Sequence, residues 1–106
     1  MEVRLVYFDG CPNWRLTWGR LRQVLDRLGR ADVPISGVRV QTADEALAAG
    51  FAGSPTIVVD GRDLFPRSTE WAGGLECRLY RTPVGSVGVP DVADIMSALR
   101  ERCDSR

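Results

Sequence analysis

The chain has 106 residues, 44% of them hydrophobic, and its fourteen basic side chains balance fourteen acidic ones. That suffices for one core without disulfides or metals, and a balanced charge with no run of either sign argues against nucleic acid or a membrane surface as a partner. Every basic residue is arginine, so lysine and histidine chemistry is excluded: Schiff bases, P-loops, histidine-assisted nucleophiles and histidine metal sites.

Three cysteines, Cys11, Cys77 and Cys103, are an odd number at wide spacings, which fits reactive or buried thiols better than a secreted disulfide framework. Three thiolates would need a carboxylate as a fourth zinc ligand, so no metal site is expected. Met1-Glu2-Val3-Arg4-Leu5 lacks a signal-peptide pattern, and no apolar stretch approaches the roughly 18 residues of a membrane helix. A cytoplasmic protein is expected.

Val3 to Phe8 is a nearly continuous apolar run closed by Asp9-Gly10, as in a central strand covered on both faces. Pro12 sits where a helix takes its first residue. Trp14, Trp18, Leu21, Val24, Leu25 and Leu28 then recur at helical spacing up to a stop at Gly29. Ile35 to Gln41 follows the break at Pro34 as a second strand, parallel to the first through a right-handed crossover. Thr42 and Glu45 form a capping box that opens a short helix ending at Gly50.

Thr56-Ile57-Val58-Val59 is β-branched throughout, and Asp60-Gly61 signals a tight hairpin into Arg62-Asp63-Leu64-Phe65. Pro90-Asp91 marks the start of a last helix with Val92, Ile95, Met96 and Leu99 on its apolar face and Arg100 and Arg102 near its end. Residues 66–89 form an excursion too long for a bare loop. Trp71, Leu75, Leu79 and Tyr80 must pack somewhere, on an added strand at Cys77 to Arg81, before a turn around Gly85 and Gly88. Residues 103–106 read as a flexible tail. The chain is thus one α/β domain, 1–106, with a mixed sheet of about four strands in the order β-α-β-α-β-β-α and an insertion after the fourth.

That order, with Cys11-Pro12-Asn13-Trp14 between the first strand and helix and Gly53-Ser54-Pro55-Thr56 before the third strand, resembles the thioredoxin-like superfamily. The Cys11 motif is similar to the glutaredoxin-type C-P-x-C or C-P-x-S site. The Pro55 motif resembles the loop whose proline is cis in that superfamily. The wider pattern F-D-G-C-P-N-W, G-S-P-T-I and C-R-L-Y is also similar to a group of small bacterial thioredoxin-like proteins, some labelled alkylmercury lyases. The sequence departs from the dithiol pattern at Trp14, where the resolving cysteine would stand, so the resemblance implies a monothiol variant.

At the start of a helix, the Cys11 thiol would meet unpaired first-turn N–H groups and the positive end of the helix dipole, both favouring thiolate. A cis Pro55 would place the Ser54 backbone beside the sulfur, where it can pair with an extended substrate. Pro12, Trp14, Ser54, Pro55 and Thr56 are therefore the candidate substrate contacts. Cys77 reads first as a small buried hydrophobe and second as a distal resolving thiol, should the excursion fold back over the site. Arg78 and Arg81 read first as solvated side chains, and either is a candidate to stabilise a thiolate or a glutathione carboxylate should the excursion cover the site. Asp9 reads as a turn former, and Trp14 and Trp18 as core or groove-wall aromatics.

Three functions are open to such a chain. The first is a thiol-disulfide oxidoreductase whose Cys11 attacks a protein disulfide or glutathione mixed disulfide, with glutathione or another small thiol as reductant and no bound cofactor. The second, implied only by the resemblance, is organomercurial cleavage by Cys11 and Cys77 with Asp9 as proton donor, which requires those three residues to converge. The third is a redox-inert module gripping a peptide between Trp14 and Ser54-Pro55.

Overall fold

The computed structural model describes residues 1–66, 69–70, 75 and 77–104, with 69–70 and 103–104 as backbone only. Among them the chain forms, in order, β1 (Val3–Tyr7), α1 (Asn13–Arg27), β2 (Ile35–Arg39), α2 (Ala43–Ala49), β3 (Thr56–Val59), β4 (Arg62–Asp63), β5 (Thr69–Glu70), β6 (Leu79–Thr82), β7 (Gly85–Val87) and α3 (Val92–Asp104). The main sheet runs β2-β1-β3-β4. β1 is parallel to β2, and β3 is antiparallel to both β1 and β4, so this is an α/β fold on a mixed sheet.

The apolar run of β1 follows from its central place. Val3 and Leu5 face one core with Ile57 and Val59 of β3, Leu21, Val24 and Leu25 of α1, and Ile95 and Leu99 of α3. Val6 and Val58 face the other, with Val40, Ala46 and Phe51. Successive residues point to opposite faces, so a strand buried on both cannot alternate with polar residues. β2 lies at the sheet edge and is correspondingly exposed at Ser36, Gly37 and Arg39.

The local signals act as expected on α2 and on the β3–β4 turn. Thr42 Oγ1 accepts the Glu45 N–H at 3.1 Å, and Glu45 Oε1 accepts from Gln41 N rather than from the capping residue itself. Replacing Thr42 with alanine should cost about 1 kcal/mol in a urea titration, with serine restoring most of it. Asp60 and Gly61 both take positive φ, 51° and 81°, which the tight hairpin requires. α3 extends through Asp104, so residues 103–104 are helical rather than part of the expected flexible tail. The Cys103 side chain and residues 105–106 lie outside the described residues.

The excursion differs most from expectation. It forms a second sheet, β5-β6-β7, rather than one added strand. β6 holds it to the main core through Tyr80, which is 1% exposed and packs edge-on against Phe65 with ring centroids 5.5 Å apart. Leu75 packs against the Val6–Phe51 cluster, and Trp71 lies outside the described residues. No helix among the described residues is long and apolar enough to cross a membrane.

Candidate functional site

Cys11 leaves β1 through a turn, its N–H donating to the Phe8 carbonyl at 3.2 Å, and stands two residues before α1. Pro12 takes helical angles, φ −76° and ψ −7°, and no side chain caps the helix start. The Arg15 N–H of the first turn donates to the Pro12 carbonyl at 3.4 Å, and the cap residue itself offers the other first-turn N–H groups no side-chain acceptor. Asn13 lies against Gly88, where a Cβ would collide with the Asn13 side-chain amide. The end of the second sheet thus closes over the start of α1. Cys11 is 0% exposed.

Opposite Cys11, the Ser54–Pro55 peptide is cis. The loop is braced from within. Phe8 N donates to Ser54 Oγ at 3.3 Å, and Thr56 Oγ1 accepts the Ala52 N–H while donating to the Gly53 carbonyl. Cys11 Sγ lies 3.5 Å from the Ser54 carbonyl oxygen. The two sequence motifs therefore meet side by side, as expected.

What the motifs do not show is the occupant of the loop's free edge. Arg78 N donates to the Ser54 carbonyl at 2.9 Å, and Ser54 forms a parallel bridge with Cys77. The backbone expected to pair with an extended substrate is taken by the chain itself. Gly53, at φ +98°, makes this contact possible: a Cβ there would lie 2.7 Å from Arg78 Cβ and 3.0 Å from Arg78 Cα. Cys77 reaches the site and is joined to Cys11 in a disulfide, with Cα atoms 5.8 Å apart, a separation disulfides commonly bridge. The expectation of a buried Cys77 is corrected, because it is exposed while Cys11 is enclosed.

Four more of the expected contacts change role. Ser54, Pro55 and Thr56 are all buried, the Tyr80 hydroxyl donating to the Pro55 carbonyl and the Thr56 hydroxyl held inside the loop, so they position the site rather than line an open groove. Arg78 is the larger correction. Neither solvated nor available to a ligand carboxylate, it is 0% exposed, with Nη1 at 3.0 Å from Asp63 Oδ2 and Nη2 donating to the Phe65 carbonyl at 2.6 Å. Its guanidinium also lies 4.6 Å from the Tyr80 ring centroid. The alternation of β6 carries back into the two residues before it: Arg78 and Tyr80 are buried, Cys77 and Leu79 exposed.

Burial pushes the Tyr80 phenol well above its ordinary value, with Arg78 pulling it partly back and Asp63 opposing. The unfolded chain ionises near pH 10 while folded Tyr80 keeps its proton, so its contribution to stability is complete below about pH 10 and is lost as the pH rises further. Oxidised protein should lose up to about 1.4 kcal/mol per pH unit there. Tyr80→Phe should flatten that slope in alkaline denaturation curves.

Pro12 is exposed at the mouth of the site. Trp14 stacks on Tyr7 with centroids 4.3 Å apart, forming with Arg15, Trp18 and Gly37 a shallow groove at the β2 edge. The groove that Trp14 lines does not include Ser54 or Pro55, both of which are buried. Asp9 pairs with Arg39 at 2.9 Å on the surface, and no group of three Cys, His, Asp or Glu side chains among the described residues is placed to hold a metal ion. No protein-family model, curated protein or solved structure matches this chain.

Proposed function

We propose that this protein is a thiol-disulfide oxidoreductase of thioredoxin-like fold in which Cys11 and Cys77 alternate between dithiol and disulfide. The observation that carries the reading is the pairing of an enclosed cysteine before α1 with a surface cysteine, next to the cis Ser54–Pro55 peptide. The fold reading is supported by the β2-β1-β3-β4 order with one parallel and two antiparallel neighbours. Cys77 supplies what Trp14 withholds, a resolving thiol outside the first motif.

In the cycle, one thiolate of the reduced pair attacks a protein disulfide or glutathione mixed disulfide and expels a thiolate. The second cysteine attacks the resulting mixed disulfide, releases the other half of the substrate and closes the Cys11–Cys77 bond. Two equivalents of glutathione or another small cytoplasmic thiol then restore the dithiol and leave as a disulfide, so two electrons pass in each direction. No bound cofactor enters.

Equilibration with glutathione buffers, followed by acid quenching and alkylation, tests this. Cys11 and Cys77 should oxidise together in one two-electron step, and Cys11→Ser should reduce glutathione-coupled turnover of a small disulfide to background. Unchanged turnover in Cys11→Ser, or a pair that remains dithiol in pure oxidised glutathione, would refute the reading.

A further inference from the structure

Resting on the proposed reversible disulfide, we propose that external exchange enters at Cys77 and expels Cys11, and that the entering partner is a low-molecular-weight thiol rather than an extended polypeptide.

Thiolate attack on a disulfide proceeds in line with the bond being broken, so the attacked sulfur must be approachable from the side away from the leaving one. Cys11 has no solvent-accessible surface, whereas Cys77 is exposed on the segment leading into β6, two residues before the exposed Leu79. Approach from solvent therefore selects Cys77. Cys11 is the leaving sulfur, two residues before a fifteen-residue helix whose N-cap residue supplies no side-chain acceptor.

The class of partner follows from the occupied edge. A polypeptide bound as an extended strand would need the Ser54 carbonyl, which already accepts the Arg78 N–H at 2.9 Å. Arg78 is in turn fixed by its buried guanidinium and its contact with Gly53, so the edge is filled independently of the disulfide. Cys77 is exposed, and a small thiol needs only end-on contact with it.

The step balances. A thiolate RS⁻ forms an RS–S bond to Cys77 as the Cys11–Cys77 bond breaks and its electron pair leaves on Cys11. A second RS⁻ then attacks the RS sulfur, giving RSSR and the Cys77 thiolate, and both protein thiolates take protons from water.

Oxidised wild-type protein treated briefly with reduced glutathione, acid-quenched, alkylated and cut with trypsin reads the entry site directly, since Cys11 and Cys77 fall on separate peptides, 5–15 and 68–78. Glutathione on 68–78 with the alkyl group on 5–15 is the expected result; the reverse pattern overturns the entry site. A start sample with no linked 5–15/68–78 peptide would overturn the underlying disulfide itself. In a second arm, oxidised glutathione should modify Cys11→Ser at Cys77 at least about tenfold faster than it modifies Cys77→Ser at Cys11. Equal rates count against the proposal. A cysteine-containing unstructured decapeptide should reduce the oxidised protein no faster than glutathione, and reduction about tenfold faster would overturn the class of partner.

Discussion

Reducing the Cys11–Cys77 bond should lower the stability of the folded chain by roughly 4 kcal/mol, the loop-closure entropy released when a cross-link over 66 residues of separation is opened. The bond ties the start of α1 to the strand lying on the cis-proline loop, so it constrains the denatured chain over most of its length. Urea titration with and without dithiothreitol measures the loss. Because β6 stays anchored through Tyr80 and Arg78, the reduced protein should still fold, with faster hydrogen exchange at the Arg78 amide than in the oxidised form. A loss under about 1 kcal/mol would mean that the bond closes a loop already restrained by other contacts.

Arg78→Met should cost about 3 kcal/mol in the oxidised protein. Arg78 is fully buried while the Asp63 side chain is 18% exposed, so the exchange leaves a partly desolvated carboxylate without its counter-ion, and the Phe65 carbonyl loses its donor. Such breaks cost about 3–5 kcal/mol, and the exposure of Asp63 places this one at the lower end. Arg78→Met combined with Asp63→Asn should recover at least half of the loss, since the orphaned charge goes while the Asp63 Oδ1 contact to Phe65 N remains available to an asparagine oxygen. If the single exchange is neutral, Arg78 does not hold the strand on the loop.

The main sheet was legible because each of its elements carries a signal that depends only on neighbours in sequence: the apolar run at Val3 to Phe8, the Thr42 cap, the Asp60-Gly61 turn and the helical stripe from Leu21 to Leu28. Proximity of Cys11 to Ser54 and Pro55 followed from the motif pair. The second sheet was not legible, since β5 has two residues and β7 three, too short to show a period, and β7 is exposed throughout. Arg78 and Cys77 were misread together. A charged residue reads as solvated and a cysteine as buried when each is taken singly, whereas the alternation of C-R-L-Y, with Tyr80 inward, reverses both. Gly53 was another usable sign, as its position before Ser-Pro marks a backbone that another segment approaches closely.

Peptide mapping of the purified 106-residue chain, alkylated under denaturing conditions after equilibration with oxidised glutathione, tests the central claim most directly. The account predicts peptide 5–15 linked to 68–78 through Cys11 and Cys77, with Cys103 outside the bond. Addition of reduced glutathione should return both cysteines to the alkylated form. Recovery of Cys11 and Cys77 as unlinked alkylated peptides under oxidising conditions would contradict it.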